Sequence, residues 1–138
     1  QSSAYGMVLP RFVKQALESK DIAVYGSGKQ SRCFLHVKDV VSALTKLIDK
    51  PNACGQVFNI GSQEEIAIEG LAKKIIEITS SRSKVIYIPY NEAYEEGFED
   101  MERRVPDISK INDLIGFIPT VDLNGIIKDV VNYIKGKP

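Results

Sequence analysis

The sequence has no tryptophan, one histidine, two cysteines and no surplus of either charge. Each shortage closes off a class of function. His36 alone cannot complete a zinc set, and Cys33 and Cys54 stand too far apart to form a CxxC pair. No metal site is expected, and both thiols read as small buried hydrophobes. A Cys33–Cys54 disulfide is disfavoured in the reducing cytosol that this composition suggests. Eighteen Lys and Arg balance eighteen Asp and Glu, so nothing drives counterion release from nucleic acid. No apolar run approaches the ~20 residues that span a bilayer, and the first residues lack the apolar core of a signal peptide. These absences lead to a cytoplasmic protein with residues 1–138 as one domain and no nucleic-acid or membrane partner.

What is present alternates between helical and extended patterning. Pro10 opens a helix whose apolar positions are Phe12, Val13, Ala16 and Leu17. "IAVYG" and "SRCFLHV" read as two strands of a hairpin across a "GSGKQ" turn. Asp39 is placed to cap the next helix, with Val40, Val41, Ala43, Leu44, Leu47 and Ile48 on one buried face. "QVFNIG" reads as a strand, "IEGLAKKIIEITS" as an amphipathic helix, and "KVIYIP" as a strand stopped by Pro89. Residues 90–104 are rich in Glu and lack an apolar period, so they read as a loop. "DISKINDLIG" is a short helix capped by Asp107 and closed by Gly116. Leu123, Ile126, Ile127, Val130, Val131 and Ile134 stripe a last helix. Such alternation predicts an α/β fold, a small layered domain of helices and short strands.

One stretch, "VYGSGKQSRCF", bears three readings. A Walker loop would need G-x-x-x-x-G-K-[ST], but the first position holds Ala23, Gln30 follows Lys29, and no helix comes next. Tyr25 and Lys29 have the Tyr-x-x-x-Lys spacing of a dehydrogenase pair, yet Gly-Ser-Gly between them is poor helix filling. The extended reading remains: Arg32, near the turn, can present a planar fork to a phosphate, with the Tyr25 ring beside it. A surface arginine and a half-buried tyrosine explain the same residues without a ligand.

The blocks "YGMVLPRFVKQAL", "IAVYGSGKQSRCFLHVKDVVSAL", "VFNIGSQEEIAIEGLAKKI", "GFEDMERRVPDISKI" and "LIGFIPTVDL" together resemble the C-terminal portion of extended short-chain dehydrogenase/reductases. Members of that family are NAD-dependent nucleotide-sugar epimerases, dehydratases and decarboxylases. The resemblance implies the substrate-binding part of such an enzyme, lacking most of the Rossmann half. The glycine fingerprint that holds NAD, and the catalytic Tyr-x-x-x-Lys, would belong to that missing half. No catalytic, cofactor-binding or metal-binding residue is therefore expected in this chain. The resemblance places Val8 against the nucleobase, Val24 and Tyr25 along it, and Gln30 near the ribose. It places Arg32 on the diphosphate of a UDP- or dTDP-linked sugar, and Arg104 on the diphosphate or the sugar from the far side. Asp39 and Asp107 read as helix caps, and His36 as a local hydrogen-bonding residue. Asn59 reads as a strand-end partner, and residues 92–102 as a solvated face or a loop over the sugar. The implied parent oxidises the sugar C4 hydroxyl with NAD. C4 epimerisation of a UDP-hexose is the first expectation and decarboxylation of a UDP-hexuronate the second. A dTDP-sugar dehydratase relative and a non-catalytic binding module are the alternatives. A homodimeric parent, and self-association of this chain through apolar surface, are expected as well.

Overall fold

Leu9, Phe12, Val13 and Ala16 recur at helical spacing, and helix α1 (Val8–Leu17) buries all four. The computed structural model describes residues 7–90 and 101–136. Strand β1 (Ile22–Tyr25) follows α1 and pairs in parallel with β4 (Val85–Ile88), Ile22 opposite Val85 and Tyr25 opposite Ile88. Between these strands the chain forms β2 (Ser31–Cys33), α2 (Val37–Ile48), a 3₁₀ turn at Pro51–Ala53, β3 (Glu65–Ala67) and α3 (Ile68–Thr79). Helices α4 (Ser109–Ile115) and α5 (Leu123–Ile134) come last. The main core joins α1, β1, α3 and α5 through Phe12, Ile22, Leu71, Ile75 and Ile127, all fully buried. A second, smaller cluster of Ala43, Ile108, Ile111 and Phe117 ties α2 to α4. This is the expected α/β architecture of helices and short strands.

Three local expectations are corrected. β1 and β2 form no hairpin: β2 pairs antiparallel with β3, with Arg32 opposite Ile66. The reason lies in β1, where Ile22, Ala23 and Val24 are buried in succession. A strand covered on both faces suits a parallel sheet, whereas a half-exposed hairpin strand alternates. "QVFNIG" is not a strand. Val57 is 82% exposed, and no described strand pairs with the segment; Lys110 Nζ donates to Val57 O at 2.9 Å instead. Finally, the apolar residues of α2 do not share one buried face. Ala43 is buried and Leu47 packs on the second cluster, while Val37, Val41, Leu44 and Ile48 are exposed.

The capping residues also divide. His36, not Asp39, caps α2, its Nδ1 accepting from Lys38 N at 3.1 Å. Asp107 accepts from Ser109 N at 2.9 Å at the start of α4, and Gly116 closes that helix at φ +64°. Cys33 is half-buried and Cys54 exposed, so only the first behaves as a partly buried hydrophobe; both are free thiols. The expectation for residues 92–102 falls mostly outside the described residues.

Candidate functional site

Tyr25 ends β1, and the chain turns sharply at Gly26 and Gly28, whose φ values are +67° and +71°. The turn carbonyls point at helix α3. Gly28 O accepts from Glu69 N, and Gln30 O from Ile68 N, each at 3.0 Å. A phosphate cradle needs the opposite polarity, with backbone N–H groups aimed at the anion. Its glycines are also closed off. A Cβ at Gly28 would lie 2.9 Å from Val24 Cγ1, and one at Gly26 would lie 2.2 Å from the Tyr90 ring. The turn therefore serves packing and the start of α3. A Walker reading is excluded by polarity as well as by spacing, and Tyr25 and Lys29 share no helix.

Around the turn lies a cavity of about 340 Å³ lined by Ser27, Lys29, Gln30, Tyr90 and Glu102. Gln30 folds back across it, Nε2 donating to Tyr25 O at 3.0 Å. Arg11, one turn after Val8 on α1, stacks its guanidinium 4.1 Å from the Tyr25 ring centre and donates to Ala23 O at 3.2 Å. Val8 is half-buried against the core. Val24 is fully buried, so its side chain has no access to a ligand and only its backbone could serve one.

Arg32 projects from β2 at the same edge. Its NH1 donates to Ser31 O at 2.6 Å and to Met101 O at 2.7 Å. Ser31 N donates to Glu102 O at 2.8 Å, so residues 101 and 102 run along β2. Arg103 then forms a fork-to-fork pair with Glu65 of β3, at 3.0 to 3.1 Å. Arg104 follows directly, exposed, with no ion pair to any described residue. Gln30 thus bonds the end of β1, Arg32 of the next strand grips the backbone at Met101, and Arg104 leaves that same strip.

A larger cavity of about 600 Å³ lies between α4, the 117–122 segment and residues 62–64. Three of its four lining carboxylates are engaged: Asp107 and Asp122 bond helix N-termini, and Glu64 Oε2 accepts from Leu123 N at 3.1 Å. Beside it, buried Asp39 accepts from Thr120 Oγ1 at 2.6 Å, Thr120 N at 3.2 Å and Val121 N at 3.3 Å. Burial alone would raise its pKa. The hydrogen bonds from Thr120 and Val121, aided by nearby His36, outweigh burial and hold the carboxyl below its ordinary 3.8. His36 Nε2 meets Asp129 at 3.1 Å. Both His36 nitrogens thus serve the fold. Asn59 donates to Asp107 O at 3.2 Å, pinning the start of α4.

Sequence reasoning missed Arg11, Glu65 and Arg103. Arg11 had a signal, since it lies three residues from Val8 and so on the same helix face. The split between Arg103 and Arg104 had none, because which of two adjacent arginines is paired depends on Glu65, 38 residues away. The glycine turn at residues 26–28 leads into β2 and aims its carbonyls, not its amides, at the neighbouring helix.

Fold and site define an α/β domain with a polar pocket and two arginines at the edge of a short sheet. Residues 1–61 match the NAD dependent epimerase/dehydratase family. The chain is 37% identical over 131 residues to UDP-N-acetyl-alpha-D-glucosaminuronate decarboxylase of Bacillus cytotoxicus, covering 95% of this chain and 40% of that protein. It is 36% identical over 128 residues to UDP-glucuronic acid decarboxylase 1 of Danio rerio, covering 93% and 29%. UDP-glucuronic acid 4-epimerase from Bacillus cereus, solved with UDP-glucuronic acid and NAD, superposes with a TM-score of 0.82 at 26% identity. That superposition covers 94% of this chain and 40% of the epimerase. Residues 1–61 thus match the NAD-dependent epimerase/dehydratase family, and nearly the whole chain is similar to nucleotide-sugar enzymes of which it spans well under half the length.

Proposed function

We propose that this chain is the substrate-binding portion of an NAD-dependent enzyme acting on a UDP-linked hexuronic acid, with decarboxylation as the reaction of the whole enzyme. The observation that carries the reading is the grip of Arg32 on Met101 O at 2.7 Å. It brings β2 and the segment leading to Arg104 to one edge, beside the Tyr25 turn. Two guanidinium groups at one edge suit a diphosphate, which accepts charge-assisted, forked hydrogen bonds from both. Gln30 lines the neighbouring cavity, and Tyr25, whose carbonyl it bonds, stands with it as a candidate for the nucleoside side, with Val8 and the backbone of Val24 behind them.

The choice of sugar rests on the relatives. Two are named as decarboxylases of UDP-linked uronic acids, and a third, at lower identity, as a 4-epimerase of UDP-glucuronic acid. A hexuronate is thus favoured over a hexose, and decarboxylation over the C4 epimerisation that the sequence first suggested. Anchoring the remote diphosphate would hold the sugar where the rest of the enzyme reacts with it.

Calorimetric titration of the 138-residue chain with UDP-glucuronic acid, UDP and uridine tests the binding. UDP is expected to bind more tightly than uridine, and Arg32→Ala and Arg104→Ala each to weaken UDP about 10- to 100-fold. That range is the worth of one charge-assisted hydrogen bond. Absence of UDP binding at millimolar concentration, or arginine variants equal to the parent chain, would overturn the reading.

A further inference from the structure

Glu65 stands where three segments meet. It faces Cys33 across the β2–β3 pair, so its side chain and those of Ser31 and Cys33 lie on the same face of the ladder, while Arg32 and Ile66 lie on the other. From that position the carboxylate accepts the Ser31 hydroxyl at Oε1 and the Arg103 fork at both oxygens. These donors, Ser31 first and then Arg103, hold the Glu65 carboxyl below its ordinary pKa of 4.5. The 101–103 segment is thereby tied to the sheet three times: by Arg32 to Met101 O, by Ser31 N to Glu102 O, and by Arg103 to Glu65. Only the third tie is an ion pair, and it is the one adjacent to Arg104. No other described residue anchors this segment to the sheet by a side chain of opposite charge.

We propose that the Glu65–Arg103 ion pair, braced by the Ser31 hydroxyl, is a positioning latch that fixes the 101–104 segment against β2 so that Arg32 and Arg104 address one diphosphate. The inference rests on the diphosphate reading above and adds a division of labour to it. Arg103 and Arg104, consecutive and chemically alike, have different tasks: the first holds the segment, and the second meets the ligand. Arg32 reaches the same segment through Met101 O, which ties its guanidinium to the strip of backbone that Arg104 leaves. A salt bridge this exposed, with Arg103 at 69%, adds little to global stability. Its retention in bidentate geometry is therefore better explained by what it orders than by what it stabilises.

Charge reversal separates the latch from a contact. Glu65→Arg, Arg103→Glu and the double variant would be compared in three measurements: melting temperature, calorimetric affinity for UDP and for uridine, and hydrogen exchange at the Ser31 amide. Each single variant is expected to weaken UDP about three- to fivefold, the worth of an exposed ion pair converted to affinity. Uridine binding and the melting temperature should barely move. The Ser31 amide, which donates to Glu102 O, should exchange faster. The double variant restores a pair of opposite charge, so UDP affinity and Ser31 protection should both recover to within about twofold.

Single variants that bind UDP as the parent does and keep Ser31 protected would overturn the latch alone. A double variant no better than Arg103→Glu would also overturn it, since Arg103 would then be touching the phosphate itself. Loss of UDP binding in the parent chain would remove the diphosphate reading. The exchange measurement would still judge whether Glu65 orders the segment.

Discussion

Asp39 is buried at 5% exposure and carries a charge, a combination that succeeds only when donors surround it. Thr120 and Val121 supply three, from 81 and 82 residues along the chain. That distance is why the residue was legible as a charge at a helix start but not as a clamp, and it sits within the first turn of α2, not ahead of it. By contrast Asp107 bonds Ser109 N only two residues away, from the position just before the Ile108 cap, so its local role was legible. Removing the Asp39 carboxylate strands buried donors, at about 1–3 kcal/mol for each left unpaired, so Asp39→Ala should lose about 2–4 kcal/mol in denaturant titration. The acid limb of stability follows from the direction of its shift. The folded-state carboxyl titrates below 3.8, so the native state binds fewer protons than the unfolded chain between the two values. The stabilisation is complete above the ordinary value and is lost as pH falls through the folded one. In Asp39→Asn the stability curve below pH ~4 should be flatter than in the parent chain. An equally steep acid limb would show that other carboxylates govern it.

At the scale of elements, helices were legible because their signals are local. The stripes of α1, α3 and α5 and the Gly116 stop all appear where spacing placed them. Strand pairing was not, because β1 finds β4 some 60 residues later, and a four-residue apolar strand carries no mark of its partner. The candidate site followed the same division. Tyr25 and Arg32 were singled out from motifs, while the contact that joins Arg32 to Met101 spans 69 residues and carries no local mark. Helix ends give a test of the local signals. Ser80 closes α3 at φ +50°, ψ +36°, a left-handed conformation that is strained for any residue with a Cβ. Ser80→Gly should gain about 0.5–1 kcal/mol, after the added freedom of the unfolded chain is deducted, and raise the melting temperature by about 2–4 °C. Gly116 has the same geometry at the end of α4, with open space around its Cβ position. Gly116→Ala should therefore lose about 1 kcal/mol from backbone strain alone. Thermal denaturation of both variants decides the matter, and shifts of the same sign would contradict it.

At the scale of the whole molecule, helix α2 carries an apolar surface that the cores among the described residues leave uncovered. Val37, Val41, Leu44 and Ile48 follow one another at intervals of four, three and four residues and are 66%, 53%, 49% and 81% exposed. That spacing draws a narrow seam along α2, the pattern with which one helix packs against another. A flank of the same helix, about a third of a turn round, already holds Ala43 and Leu47 in the second cluster. α2 is thus apolar on two sides, which is why its six apolar positions suggested a single broad buried face. Contiguous apolar surface of this kind usually marks an interface, and the 138-residue chain alone should self-associate through it. Sedimentation velocity should show a concentration-dependent shift for the parent chain and a folded monomer for Val41→Glu/Leu44→Glu, with unchanged circular dichroism. A parent chain that stays monomeric at every accessible concentration would refute this use of the seam. The seam and the arginine edge share no residue, so the two properties should separate. The double glutamate variant is expected to keep the affinity of the parent for UDP, and saturation with UDP should leave the association of the parent chain unaltered. Coupling in either direction would mean that α2 reports on β2, which ends only three residues before it.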